Sequence, residues 1–150
     1  MADPLPPSLY KGFPGLKGTE HAKTSEPTAR YNCIAWAADD KFNFWWPKPK
    51  ALGYYWPKGA PRVRTLEAFA KAFAIRRYEV CADGGHETGF ERIAIYAGSD
   101  GVPTHAARQL PSGRWTSKLG NLDDIEHELR ALDGDTYGQP VLFMRRPRLV

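Results

Sequence analysis

At 150 residues the chain has the length of an ordinary domain and can bury a core without disulfide or metal staples. Hydrophobic residues at 42% and charged residues at 25% are globular proportions, which argues against a disordered or fibrous chain. A net charge of +4 permits weak attraction to anionic surfaces without making a nucleic-acid footprint, and no apolar run approaches the ~20 residues of a membrane span.

The start, MADPLPPSLY, lacks the basic and apolar regions of a secretory signal, so the expected location is the cytoplasm, with secretion without a cleaved signal as the other route. Cys33 and Cys81 read as free thiols in a reducing compartment. The four histidines are scattered without zinc spacing, so neither a metal nor a cofactor is expected. The sequence shows no repeat and no internal boundary, and it reads as a single domain over residues 1–150.

Residues 1–28 carry five prolines and no clear periodicity, and they read as irregular. Arg30 to Asp39 changes character: Ile34, Ala35, Ala37 and Ala38 favour a helix, with Asn32 as its cap. Residues 42–61, FNFWWPKPKALGYYWPKGAP, hold four prolines and read as a long loop or two short extended pieces. Thr65 then caps a helix whose Leu66, Phe69, Ala70 and Phe73 share one face.

Strands follow. Arg77 to Cys81 is short, and Phe90 to Ala97 is the clearest, with Ile93, Ile95 and Ala97 on one side. The turns at Ser99-Asp100-Gly101 and Pro111-Ser112-Gly113 separate strands over Thr104 to Leu110 and Arg114 to Leu119. Gly120-Asn121 stops the last of these. Asp123 to Leu132, acidic at its start, reads as a helix, and Tyr137 to Met144 as a final strand. The basic end, MRRPRLV, reads as a solvated tail. Helices segregated from an antiparallel meander give an α+β class.

Cys33 is the sharpest chemical feature. At a helix start, unpaired N–H groups and the dipole favour a thiolate and can hold an oxyanion. A thiolate nucleophile needs a base, and His105, in the middle of a strand, is the strongest candidate. The order, a helix cysteine then a strand histidine, is the papain arrangement. A small core hydrophobe is the competing reading of Cys33, and a hydrogen-bonded structural histidine that of His105. Cys81 has no helix start or adjacent base and reads as structural.

For the group that orients the imidazole, Ser117 is the choice, with Lys118, Asp123 and Asp124 nearby in sequence and Gln109 on the His105 face. Lys118 is alternatively a point charge for a substrate carboxylate or phosphate. Asn32 or the Cys33 amide is the oxyanion candidate, with capping as the other role of Asn32. Trp45 and Trp56, in the loop where aromatics alternate with Lys48, Lys50 and Lys58, are candidates for walling a cleft; the competing role is to anchor the loop on the core.

The stretches YNCIAWA (31–37), GFERIAIYA (89–97), PTHAARQLPSGRWTSKLG (103–120), DIEH (124–127) and FMRRP (143–147) resemble an uncharacterised bacterial domain family of unknown function, over about Arg30 to Pro147. More loosely, Asn32-Cys33 at a helix start, then H-x-x-R-Q from His105 and G-x-W-x-x-K-x-G from Gly113, is similar to papain-like and NlpC-type cysteine hydrolases. That likeness implies their fold, Cys33 as nucleophile and His105 as base. One departure stands out. NlpC-type enzymes open a strand H-V-G-I-Y with the histidine; here RIAIY carries Arg92 there, and the histidine comes one strand later.

The leading expectation is a cysteine hydrolase or transferase of papain-like fold acting on an amide, isopeptide or thioester of a peptide or protein, with an effector role within its compass. The rival is a protein- or glycan-binding module on the same fold without the chemistry. A nucleic-acid binder ranks last, because the basic residues show no face-wise clustering.

Overall fold

The computed structural model describes residue 5 and residues 7–25, 28, 30–119 and 123–148. In chain order these form α1 (Pro7–Gly12), a 3-10 turn (Pro14–Gly18), β1 (Ala22–Ser25), α2 (Cys33–Ala37), a 3-10 turn (Lys50–Leu52) and α3 (Leu66–Ile75). Then come β2 (Glu79–Cys81), β3 (Phe90–Ala97), β4 (Pro103–Gln109), β5 (Trp115–Lys118), β6 (Asp124–His127), a 3-10 turn (Leu129–Leu132) and β7 (Gln139–Pro147). The strands make one seven-stranded antiparallel sheet in the order β1-β6-β5-β4-β3-β7-β2. The class is mixed α+β with few helices. No helix among the described residues is long and apolar enough to cross a membrane.

β3 is apolar in both phases because both of its sides are covered. Ile93 and Ile95 face the cluster that holds α2 and α3, while Ala94 and Tyr96 face a second cluster built with Leu9, Leu16 and Leu132. α3 forms where the 3.6-residue spacing of Phe69, Ala72 and Phe73 meets the first cluster, and the Thr65 hydroxyl caps it by accepting from Ala68 N. The five-residue α2 cannot stand alone. It is bolted to the sheet by Trp36, whose indole N–H donates to Thr116 Oγ1 at 3.0 Å, and its backbone turns out at Asp39 with φ 63°.

Three expectations change. Residues 1–28 are not all irregular: α1, the following 3-10 turn and β1 lie there, and their Leu9, Phe13 and Leu16 close the second cluster, a tertiary role that weak local periodicity does not show. Residues 123–132 are not a helix. Asp124–His127 pairs as β6 between β1 and β5, with Ile125 and His127 buried alternately, and only Leu129–Leu132 winds. The basic end is not simply a solvated tail, since β7 runs to Pro147 and buries Arg146 against Glu91 at 2.8 Å. The expected stop at Gly120-Asn121 lies outside the described residues.

Candidate functional site

Strand alternation decides which side chains meet. On β4, Ala106 faces the α2 cluster, while His105 and Ala107 face the other way. On β5, Trp115, Ser117 and Leu119 share the His105 side, and Thr116 and Lys118 face α2. Cys33 and His105 therefore lie on opposite faces of the sheet, and the expected pair does not meet.

Under α2 the structure assembles a different set. Cys33 is buried, with backbone hydrogen bonds from Ala106 and Ile34 at its thiol and Lys118 as its charged neighbour. Burial pushes the Cys33 thiol up to about 11, and Ala106, Ile34 and Lys118 oppose the shift without cancelling it. Lys118 is fully buried at the end of β5. Burial pulls its ammonium down from the ordinary lysine range, against the pull of Asp124, Cys33 and Asp123. Asp124 is the cross-strand neighbour of Lys118, and β1 places Ser25 on its other side. Tyr31 donates its hydroxyl to Asp124 Oδ2 at 2.6 Å, and Ser25 donates to the same oxygen. Burial, and then that bond to Asp124, push the Tyr31 phenol up to about 12, while the Lys118 ammonium sits 5.4 Å over the Tyr31 ring. Thiol, amine, carboxylate and phenol thus share one buried patch.

Asn32 is held as a cap: its Oδ1 accepts from Ala35 N at 3.1 Å and Trp45 N at 3.0 Å, and its Nδ2 donates to Trp45 O at 2.6 Å. Trp45 and Trp56 are core anchors in the same cluster as Cys33. Trp45 donates to Asp40 Oδ2 at 2.8 Å, and Trp56 to Pro61 O at 2.9 Å. Burial opposes ionisation of Asp40, but hydrogen bonds from Asn43, Trp45 and the Phe42 and Asn43 backbones outweigh it and hold its carboxyl below the ordinary range.

The opposite face brings together His105, Ser117 and His127. Since the Glu128 carbonyl only accepts, His127 donates Nδ1–H to it at 2.7 Å and presents a bare Nε2. Ser117 donates to that nitrogen at 2.7 Å, and His105 Nε2–H donates to Ser117 at 3.0 Å. Burial, with His127 adding to it, holds His105 well below the ordinary histidine range, and burial brings His127 to about 4. Tyr137 stacks on His105 at 4.1 Å and 7°. Gln109 lies on this face too, donating to Gly84 O at 3.1 Å, so it does not line a cleft at Cys33. Arg92, which opens the stretch RIAIY, donates to Asp83 O at 3.0 Å and Glu87 Oε1 at 3.3 Å.

No group of three or more His, Cys, Asp and Glu fit to hold a metal occurs among the described residues. The model of a domain of unknown function, DUF7689, matches residues 22–145, from β1 into β7. The chain belongs to the DUF7689 family. No curated protein and no solved structure matches it. Every member of the Cys33 patch lies inside the DUF7689 match, whereas α1 and the first 3-10 turn precede it. The roles of Tyr31 and His127 are not visible in sequence; the alternation of Ile125 and His127 in DIEH is the one signal that points to them.

Proposed function

We propose that this DUF7689 domain is a cysteine-dependent hydrolase or transferase for an amide, isopeptide or thioester, in which Lys118, and not His105, serves Cys33. The observation that carries the reading is the placement of Lys118: buried, on the same sheet face as Cys33, and next to Asp124 across the β5–β6 pair. Burying a lysine and a carboxylate together costs more desolvation than an apolar pair of similar volume, so the patch is better explained by chemistry than by stability. The general layout, a helix-start cysteine over an antiparallel sheet with a basic and then an acidic residue on neighbouring strands, is analogous to the papain type with an amine in place of the imidazole, and that analogy supports the reading.

The chemistry balances as acyl transfer. The free amine of Lys118, favoured by burial, accepts the Cys33 proton as sulfur attacks the carbonyl carbon. The resulting ammonium, held by Asp124, returns that proton to the leaving nitrogen or sulfur as the old bond breaks. Water or a second amine then releases the acyl group from Cys33.

Alkylation of Cys33 by iodoacetamide across pH, in Cys81→Ser, tests the reading. The expected profile rises into the alkaline range, above the ~8.5 of a free thiol. Lys118→Met slows alkylation about tenfold at fixed pH, equivalent to one pKa unit, by removing the cation that favours the thiolate. His105→Ala leaves the profile where it is. A Cys33 indifferent to Lys118→Met would end the catalytic reading and leave a binding module on the same fold.

A further inference from the structure

The aromatic loop builds a feature that the Cys33 chemistry does not use. Along its second strand-like arm lies a groove of about 820 Å³, walled by Tyr54, Tyr55 and Trp56 and bordered by Lys50, Lys58 and Arg62, with no carboxylate among its lining residues. We propose that this groove binds single-stranded nucleic acid, with its cations on successive phosphates and the Tyr55 ring against a base.

Charge complementarity is the first argument. The sequence scatters its basic residues, but the fold gathers Lys50, Lys58 and Arg62 around one opening. None of the three is in an ion pair with a carboxylate among the described residues. Arg62 is aimed by donating to Lys48 O, a neutral acceptor that leaves its charge available. The volume falls within the ~300–1,000 Å³ of small-ligand clefts, which accommodates a short stretch of strand and not a duplex.

The rings are the second argument. Tyr55 rests against Trp45, with centroids 5.0 Å apart, yet remains 37% exposed. A partly exposed ring backed by a buried one is a stacking platform, and every base offers a π-face to it. An acidic peptide would satisfy the cations and leave that platform without a partner. The loop is also set before binding: Trp46 N donates to Tyr55 O at 3.0 Å, and Tyr55 N to Phe44 O at 2.9 Å. Trp56 is locked to Pro61 O, so little loop entropy is lost when a strand docks.

Fluorescence anisotropy with labelled oligo(dT) and oligo(U) of about eight nucleotides tests this, with poly-glutamate and heparin as comparison anions. Three neutralised phosphates on a single strand give a slope of log K against log salt near about −2. Lys58→Gln reduces that slope to about −1.4. Tyr55→Ala keeps the slope and weakens binding about tenfold. Circular dichroism confirms that each variant is folded. Binding weaker than about 100 μM at low salt overturns the proposal. So does binding that Tyr55→Ala leaves untouched, or equal affinity for poly-glutamate or heparin, because the groove would then be a general anion site. Cys33→Ser leaves binding unchanged, which keeps this test separate from that of the Cys33 chemistry.

Discussion

Buried ionisable residues sit on both sides of one sheet, and the two histidines of one side carry a pH dependence of stability. His105 and His127 are neutral in the folded chain because water is excluded from both rings. Each has a folded pKa below its unfolded 6.5, with His127 at about 4. The unfolded chain therefore takes up protons first as pH falls. The stabilisation is complete above 6.5 and is lost on acidification toward the folded values, with a slope of about 1.4 kcal/mol per pH unit for each histidine. Urea unfolding at intervals between pH 7 and pH 5 reads this slope before most carboxylates titrate. His127→Gln should remove roughly half of it, the share of one proton of two. A slope indifferent to His127→Gln would mean that these rings are not held neutral.

Among the elements, α2 depends most on a single residue. Its five residues are too few for helix propensity to hold them, and the Asn32 side chain satisfies one orphan N–H of the helix together with both backbone groups of Trp45. Asn32→Ala should cost about 2–4 kcal/mol, the sum of a lost cap and two buried backbone groups left without partners, measured by chemical denaturation. Asn32→Asp should fall between, since it keeps the accepting oxygen and loses the donor to Trp45 O. A cost for Asn32→Ala below about 0.5 kcal/mol would show that the cap is incidental.

The same element shows what was legible. Cys33 at a helix start, the Thr65 cap, α3 and β3 follow from local periodicity and capping chemistry, and all are present. The facing of β4 is also written in its alternation, but the side on which α2 lands is not, and that choice separates Cys33 from His105 and gives it Lys118. β6 was obscured because Asp124 and Glu126 suit a helix start as well as a strand with one polar side. The ring of Tyr31 meets Asp124 across 93 positions of sequence, a distance that no pattern spans.

At the scale of the whole molecule, the chain closes on itself through its last strand. β7 is not an edge: it lies between β3 and the edge strand β2, so the final strand of the sequence is paired on both sides. An ion pair fastens it there. Arg146 donates Nε to Glu91 Oε1 at 2.8 Å and Nη1 to the carbonyl that ends α3, Arg76 O, also at 2.8 Å, with its guanidinium 4.4 Å over the Tyr78 ring. Both side chains of the pair are 9% exposed. The pair is coupled through burial: Arg146 without Glu91 is a buried charge with no carboxylate partner among the described residues, and Glu91 without Arg146 keeps only the longer contact to Arg148 Nη1 at 3.4 Å. Arg146→Met should therefore destabilise by about 3–5 kcal/mol, more than its lost contacts alone would suggest. Glu91→Met added to Arg146→Met should recover part of that loss, since the carboxylate left with only the longer Arg148 contact is then gone. A double-mutant cycle by urea unfolding gives the coupling directly, and strictly additive losses would show that Arg146 and Glu91 act independently. Because the pair ties the end of the sequence to β3 and α3 at once, the single variant should unfold with its cooperativity intact and its midpoint lowered. A separate early transition would instead mark β7 as a detachable strand, which its pairing on both sides, to β3 and β2, argues against.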